Sequence, residues 1–306
     1  MSKPLLLVLG ANPAWQSTLH FANFLPGEVN RAISQAEYPS GKGINFCRAA
    51  HCFGTADTLL FQFAGGENGR KICDGLEKLG FRHVTIQTDA NTRRCITCID
   101  DSTHSMTELI EPSSPITQQE EQRFLDALED ALPQASAFAI TGSLPDRSDL
   151  GLITRAVQRA LAHSIPVVID AVKGIHDALQ LSGNITVKIN LQELCKLTGS
   201  NDAKTALQHA GNLWPDKIFA ITNGADDAVL LQNGELSTYR VPQLKQIVSP
   251  LGCGDTASAV YTSCIANDVS PQEAFRLALA AASANCLNDQ AGYFQLADLP
   301  AQKGGN

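Results

Sequence analysis

The strongest constraint on this chain is an alternation. Short, mostly apolar runs are separated by amphipathic stretches of helical period. The runs Leu5–Gly10, Thr58–Phe63, Ala137–Thr141, Val167–Asp170, Thr186–Ile189 and Lys217–Thr222 are too short to be helices and show little in–out polar alternation. That pattern marks strands buried on both faces. Between them, Gln118–Ala131, Asp149–Ala162 and Asn190–Leu197 carry apolar residues at helical spacing. Strand–helix alternation of this kind predicts an α/β fold, a mostly parallel sheet covered by helices. Two Ala-rich helices are expected over Gly254–Ala266 and Ser270–Leu287. A hairpin is expected at Asn233-Gly234, joining Ala228–Gln232 to Leu236–Val241, because both turn residues tolerate positive φ. Two regions break the alternation. About 16–36 and 92–111 hold β-like runs without crossover helices, and these predict a small sheet apart from the main one, a β-lid. No low-complexity linker or internal repeat divides residues 1–306, so one principal domain is expected, with a frayed tail at Ala301–Asn306.

Net charge is −8, from 23 basic and 31 acidic residues. Bulk binding to nucleic acid or to an anionic membrane needs a dense basic surface, so neither partner is expected. A few converging cations could still hold a small anion. The odd number of cysteines, nine in all, reads as free thiols in a reducing compartment, the cytoplasm. Cys95 and Cys98 form a lone C-x-x-C with no second pair, which gives no zinc site. Leu5–Leu9 is too short for the apolar core of a signal peptide, and nothing approaches the ~18 apolar residues of a membrane span.

Four segments carry chemistry. Gly252-Cys253-Gly254-Asp255 precedes an Ala-rich helical stretch. Small residues let a backbone turn approach a ligand, and a helix N-terminus offers free amides and a positive dipole end to phosphate. An Asp there could accept a proton from an attacking hydroxyl. The same letters also spell a loop with an N-capping Asp, and a G-x-G-x-x-A dinucleotide fingerprint, although the latter belongs after an early strand rather than near a C-terminus. No G-x-x-x-x-G-K-[ST] occurs, which excludes a P-loop. Gly41-Lys42-Gly43-Ile44-Asn45 opens another helical run, as a polar ligand site or a solvated turn. Gly27–Arg31, with Arg93 and Arg94, places arginines in the lid segments, and guanidinium suits phosphate when it is not merely solvated. Asn190 and Glu193, just after Lys188, share one helix face at the end of a strand, the edge where open α/β sheets bind ligands. A capping box has the same spelling.

Taken in order, these segments resemble the ribokinase-like PfkB carbohydrate kinase family, from Asn12 to about Leu287. Asn12-Pro13-Ala14, Gly27–Arg31 and Gly41–Asn45 look like the opening of its sugar-phosphate branch, the 1-phosphofructokinase and tagatose-6-phosphate kinase type. Thr92-Arg93, Thr107–Pro112, Gly142–Pro145, Thr222 with Gly224, and Gly252–Asp255 continue the match. The resemblance implies a three-layer Rossmann-type core with a small β-lid, with ATP and Mg2+ as cofactors. It makes Asp255 the general base and Gly252, Cys253 and Gly254 the anion hole. It assigns Asn190 and Glu193 to the magnesium–nucleotide phosphates through water, Lys188 to the phosphates, and Thr222 and Gly224 to the nucleotide pocket. Gly41, Lys42 and Asn45 would hold the sugar, and Arg31 and Arg93 the phosphate already on it. A homodimer paired through the lid is expected.

The chain departs from the family pattern at several places. Gln16 stands where an Asp usually contacts sugar hydroxyls, Ser40 replaces a glycine, Cys95 an Asn, Asp227 a glycine, Cys253 an Ala and Val260 a Gly. Gln16 can still bond a hydroxyl, but without charge. The leading expectation is a kinase of fructose 1-phosphate, tagatose 6-phosphate or a similar ketose phosphate. A kinase of an unphosphorylated sugar or nucleoside, and a low-turnover sugar-phosphate-binding protein, are the alternatives.

Overall fold

A computed structural model describes residues 2–103 and 105–300. The expected frayed tail, 301–306, lies outside the described residues. In chain order the elements are β1 (Leu5–Leu9), β2 (Ala14–Phe21), β3 (Ser34–Ser40), α1 (Lys42–Phe53), β4 (Asp57–Gly65), α2 (Gly66–Lys78), β5 (His83–Thr88), β6 (Arg94–Asp100), β7 (Ser105–Ile110) and α3 (Gln118–Ala131). There follow β8 (Ala137–Thr141), α4 (Gly151–Ala162), β9 (Val167–Asp170), β10 (Ile185–Asn190), α5 (Leu191–Thr198), α6 (Ala203–Leu213), β11 (Ile218–Asn223), β12 (Asp226–Gln232), β13 (Glu235–Tyr239), α7 (Cys253–Ile265) and α8 (Pro271–Asn285).

Nine strands form one sheet in the order β13-β12-β11-β10-β9-β8-β1-β4-β5. All pair in parallel except β12 and β13, which close one edge as an antiparallel hairpin. The hairpin turn is the expected one, with Asn233 at φ 53° and Gly234 at φ 78°. The apolar runs are explained by burial on both faces. Leu7 and Leu9 point into one core with α3, α4, α5 and α6, whereas Leu6 and Val8 point into the other with α1, α2, α7 and α8. All four of these β1 side chains are essentially inaccessible, so truncating Leu6, Leu7 or Leu9 to Ala would cost ~2–5 kcal/mol. No helix of the described residues is long and apolar enough to cross a membrane.

From β1 the chain steps outward through β4 to β5, then returns to β8 on the other side of β1 and steps outward again to β11. The strand order therefore reverses between β1 and β8. Ligands of open α/β sheets occupy the crevice beyond the carboxyl ends at such a point. Two glycines let α1 reach that crevice closely. A Cβ on Gly43 would lie 2.6 Å from the Gly10 Cα, so neither the end of β1 nor the first turn of α1 tolerates a side chain there.

The second sheet has the order β3-β2-β6-β7. It uses both irregular regions foreseen in the sequence but is longer at its first segment. Strand β2 starts at Ala14 and β3 runs to Ser40, while residues 22–33 between them are not strand. The turn-rich composition of that stretch, with Pro26, Gly27 and Asn30, stops the pairing.

Candidate active site

The residues at the carboxyl edge of the large sheet converge on the first turn of α7. That helix begins after Gly252, which holds φ 77°. A Cβ on Gly252 would sit 2.6 Å from the Gly292 amide nitrogen, so both conformation and space require glycine. The early amides of a helix have no partners within it and leave a positive end facing the crevice. Asp255 is inside this turn, only 6% exposed. Its carboxylate does not cap the helix, which has no side-chain cap; Asp255 Oδ2 instead accepts a 2.8 Å bond from Asn45 Nδ2. Asn45 is in turn fixed by Arg48, which donates to its Oδ1 at 3.2 Å. Burial, followed by the negative charge of Asp170, pushes Asp255 up to about 6.

Asp170 is the functional candidate that the sequence pattern passed over. It ends β9, is buried, and meets Lys42 Nζ at 3.0 Å, Lys188 Nζ at 3.4 Å and Ser258 Oγ at 2.6 Å. Burial alone would raise its carboxyl, but the charges of Lys188 and Lys42 outweigh burial and hold it at about 2. Reciprocally, burial opposes the charge on Lys42, and Asp170 and Asp255 together overcome it and raise the ammonium above its ordinary range. Lys188 also donates to the Gly254 carbonyl at 2.9 Å, tying β10 to the first turn of α7. A charged residue closing an all-apolar strand at the ligand edge was the signal available for Asp170.

Beside this network a cavity of about 410 Å³ opens between β10, β11, α7, α8 and residues 241–250. Its polar end is lined by Lys42, Lys188, Asn190, Glu193, Thr222 and Gly224, and its far wall by Val241, Leu244, Ile247 and Leu279. Cys253 and Gly254 face it from α7. Asn190 and Glu193 do form a capping box. Asn190 Oδ1 accepts from the Glu193 amide at 2.9 Å, and Glu193 Oε2 accepts from the Asn190 amide at 3.0 Å. The capping and ligand readings are thus compatible, because the box fixes both side chains at the rim and leaves Glu193 Oε1 uncommitted. Among the described residues no cluster of three or more His, Cys, Asp or Glu is placed to hold a metal alone. One carboxylate oxygen beside a phosphate-sized opening suits magnesium, which keeps most of its waters and takes its remaining ligands from nucleotide phosphates.

A smaller cavity of about 160 Å³ lies where the ends of β1 and β8 meet the first turn of α1, lined by Asn12, Gly41, Lys42, Arg93, Thr141 and Ser143 among others. Lys42 borders both cavities. Arg93 donates to the Asn12 carbonyl at 3.1 Å, while its buried Nε has no partner and the buried Thr141 hydroxyl has none either. Three expected substrate residues do not line this space: Asn45 is turned to Asp255 instead, and Gln16 and Arg31 lie elsewhere. Gln16 is buried within the second sheet, where its Nε2 donates to Thr97 Oγ1 at 2.8 Å and to the Ser17 carbonyl at 3.2 Å. Arg31 is exposed on the segment joining β2 to β3.

Comparison with known proteins places this geometry. A crystal structure of a mutant of phosphofructokinase-2 from Escherichia coli superposes with a TM-score of 0.88 at 22% identity, covering 97% of each chain. The same enzyme in complex with fructose-6-phosphate gives 0.84 at 21% identity over 97% of each chain. A protein from Thermotoga maritima described as a possible 1-phosphofructokinase gives 0.85 at 18% identity over 96% of each chain. At such identities the likeness carries the fold: the ribokinase-like arrangement of a mostly parallel, helix-covered sheet with a small second sheet. The sequence itself matches the profile of the pfkB family carbohydrate kinases over residues 11–297. The chain belongs to that family of carbohydrate kinases, phosphotransferases with an alcohol acceptor.

Proposed function

We propose that this chain transfers the γ-phosphoryl group of ATP to a hydroxyl of a ketose phosphate, such as fructose 1-phosphate or tagatose 6-phosphate, with Asp255 as general base. The observation that carries the reading is Asp255 itself: a buried carboxylate raised to about 6, held by Asn45, in the first turn of a glycine-flanked helix. A base with that affinity is ionised at neutral pH yet basic enough to take the hydroxyl proton as the new bond forms. The amides of Gly252, Cys253 and Gly254 form the anion hole for the transferring group. Lys188 and Lys42 supply positive charge on the phosphate path, and Asp170 keeps both in position. The nucleotide occupies the larger cavity, with Thr222 and Gly224 along it. Magnesium, when bound with the nucleotide, neutralises charge on its phosphates. Asn190 and the free oxygen of Glu193 orient the waters of that ion.

The sugar lies in the smaller cavity against Gly41 and Lys42, and Asn45 acts on it through Asp255, which it holds. Arg93, with an unpartnered buried nitrogen, takes the phosphate already on the substrate. Arg31 joins it only if the 22–33 segment folds inward. Gln16 acts on the sugar through the lid it braces. We take the whole chain as one catalytic domain in which the small sheet is a lid, closing to exclude water as a competing acceptor. The edge strand β7 exposes Met106, Leu109 and Ile110, which suits lid-to-lid pairing in a homodimer. A cytoplasmic enzyme fits nine unpaired thiols and the use of ATP.

The test is ATP consumption screened over ketose phosphates, free sugars and nucleosides, with Asp255→Asn alongside. Turnover of a ketose phosphate is expected, falling by ~10²-fold or more in the variant. Equal rates in the two proteins would remove Asp255 from the chemistry. Turnover confined to free sugars or nucleosides would instead move the substrate to the unphosphorylated class.

A further inference from the structure

The phosphoryl-transfer reading leaves a pair of thiols unused at the mouth of the larger cavity. Cys253 is the first residue of α7, and Cys286 follows the last residue of α8. Their sulfurs are 2.9 Å apart and unbridged, and both residues are half-buried against the cavity. The end of α8 also holds the turn that carries Asp255. The Cys286 carbonyl accepts from the amides of Val248, at 2.8 Å, and Ser249, at 3.2 Å. Next to it, the fully buried Asn285 donates to the Leu251 carbonyl at 2.8 Å and approaches Cys253 Sγ at 3.3 Å, while its Oδ1 accepts from Thr256 Oγ1 at 2.9 Å. A movement of either sulfur is thus passed directly to residues 251–256.

We propose that Cys253 and Cys286 form an oxidisable dithiol site for small hydroperoxides, and that its disulfide state stops phosphoryl transfer by displacing the amide turn beside Asp255. The two thiols have distinct roles. The two sulfurs share a hydrogen bond, which holds Cys286 below the ordinary thiol range and, together with burial, pushes Cys253 up. Cys286 is therefore the nucleophile, since the thiolate is the reactive form. Its sulfur attacks one peroxide oxygen. The S–O bond forms, the O–O bond breaks, and the alcohol leaves with a proton, giving a sulfenic acid. The Cys253 sulfur then attacks that sulfur. The S–S bond forms, the S–O bond breaks, and hydroxide departs as water with the Cys253 proton. Two thiols and one hydroperoxide yield one disulfide, one alcohol or water, and one water; two electrons pass from sulfur to the peroxide. A disulfide needs sulfurs ~2.05 Å apart, so Cys253 and Cys286 must close from 2.9 Å. Displacing a reacting group by ~1 Å can cost ~10²-fold in rate.

The effect on turnover rests on the proposed role of the 252–255 turn, whereas the cross-link does not, and the experiment separates them. The reduced full-length protein is treated with near-stoichiometric hydrogen peroxide at neutral pH, then analysed by peptide mass and assayed for kinase activity. A disulfide-linked Cys253–Cys286 peptide is expected, with activity falling at least ~10-fold and returning on addition of dithiothreitol at the rate at which the link is lost. Cys286→Ser should form no such link and should keep most of its own untreated rate after peroxide. Cys253→Ser should leave a sulfenic acid on Cys286, trapped by dimedone. Oxidation of other thiols while this pair stays reduced would overturn the site. A complete cross-link with undiminished turnover, or Cys286→Ser inactivated as fast as the parent, would overturn the switch. Should Cys286→Ser fail to fold, the matched time courses of link loss and activity recovery in the parent decide the question.

Discussion

The two ends of the crevice are built to different standards. At the end proposed for phosphate transfer, Lys42, Lys188 and Ser258, drawn from α1, β10 and α7, all meet the Asp170 carboxylate at the end of β9 within 3.4 Å. At the end proposed for the sugar, Arg93 makes one bond to a backbone carbonyl and leaves a buried nitrogen unmatched, Gln16 is turned into its own sheet, and Arg31 is in solvent. The difference follows from what each end must do. On the proposed reading, groups on rigid strand ends hold fixed charges for a reaction common to a whole family, while the small sheet, acting as a lid, moves and fits one particular sugar. Loops and lids tolerate variation that a packed sheet edge does not.

Breaking the phosphate end should have the largest effect. Asp170→Ala leaves the Lys188 ammonium, on a side chain only 3% exposed, with the Gly254 carbonyl as its remaining partner. Removing one member of a buried ion pair costs ~3–5 kcal/mol, so denaturant unfolding at neutral pH should show a loss of that order. A loss below ~1 kcal/mol would mean that solvent already screens the network, as it does for surface pairs, and the contrast between the two ends would fail.

The titration of Asp255 sharpens the same point. Only the ionised carboxylate accepts a proton, and its carboxyl is raised to about 6. Turnover should therefore fall on the acid side, with a limb near pH 6, and not at the ~4 of an unperturbed Asp. Asn45 stabilises the ionised form and Asp170 opposes it. Asn45→Ala should thus move the limb to higher pH and Asp170→Asn to lower pH, read from kcat/KM against pH. Shifts of the same sign in both variants would assign the limb to another group.

These contrasts also explain what could be read from the sequence. Buried parallel strands write themselves as apolar runs, so β1, β8, β9, β10 and β11 fall where the pattern put them. The 252–255 turn was legible because its glycine pattern is local, and the Asn190–Glu193 box because its spacing is local. The network behind them was not, because its members are far apart in sequence: Asn45 and Asp255 by 210 positions, Lys42 and Asp170 by 128, Ser258 and Asp170 by 88. Asp170 reads simply as the last residue of an apolar strand. Gln16 was visible as an unusual residue, yet which way it faces depends on the pairing of β2 with β6, and that register sets Gln16 opposite Cys95 and near Thr97.

Arg93 tests the sugar end directly. A hydrogen bond to a charged group contributes ~1.5–3 kcal/mol. Arg93→Ala should therefore raise KM for a phosphorylated ketose by about tenfold or more with little change in kcat. An unchanged KM would take Arg93 out of the substrate clamp and leave this end without a phosphate ligand among the residues that line the smaller cavity, Lys42 apart.

The smallest effect is expected at Gln16, and it is the one that decides what the lid does. Its amide bridges β2 to β6 through Thr97 within a buried part of the sheet. If bracing is its role, Gln16→Ala loses that bond and leaves the Thr97 hydroxyl without it, at a cost of ~1–3 kcal/mol in stability. The KM for the ketose phosphate would then change by less than ~3-fold, under the ~0.6 kcal/mol that a lost direct contact to a hydroxyl would exceed. The opposite pattern, intact stability with a KM raised ~10-fold, would mean that Gln16 turns out of the sheet to meet the sugar when the lid closes. Measuring thermal unfolding and KM on the same variant separates the two, because a side chain bonded to Thr97 is not simultaneously free to bond a substrate hydroxyl through the same amide proton.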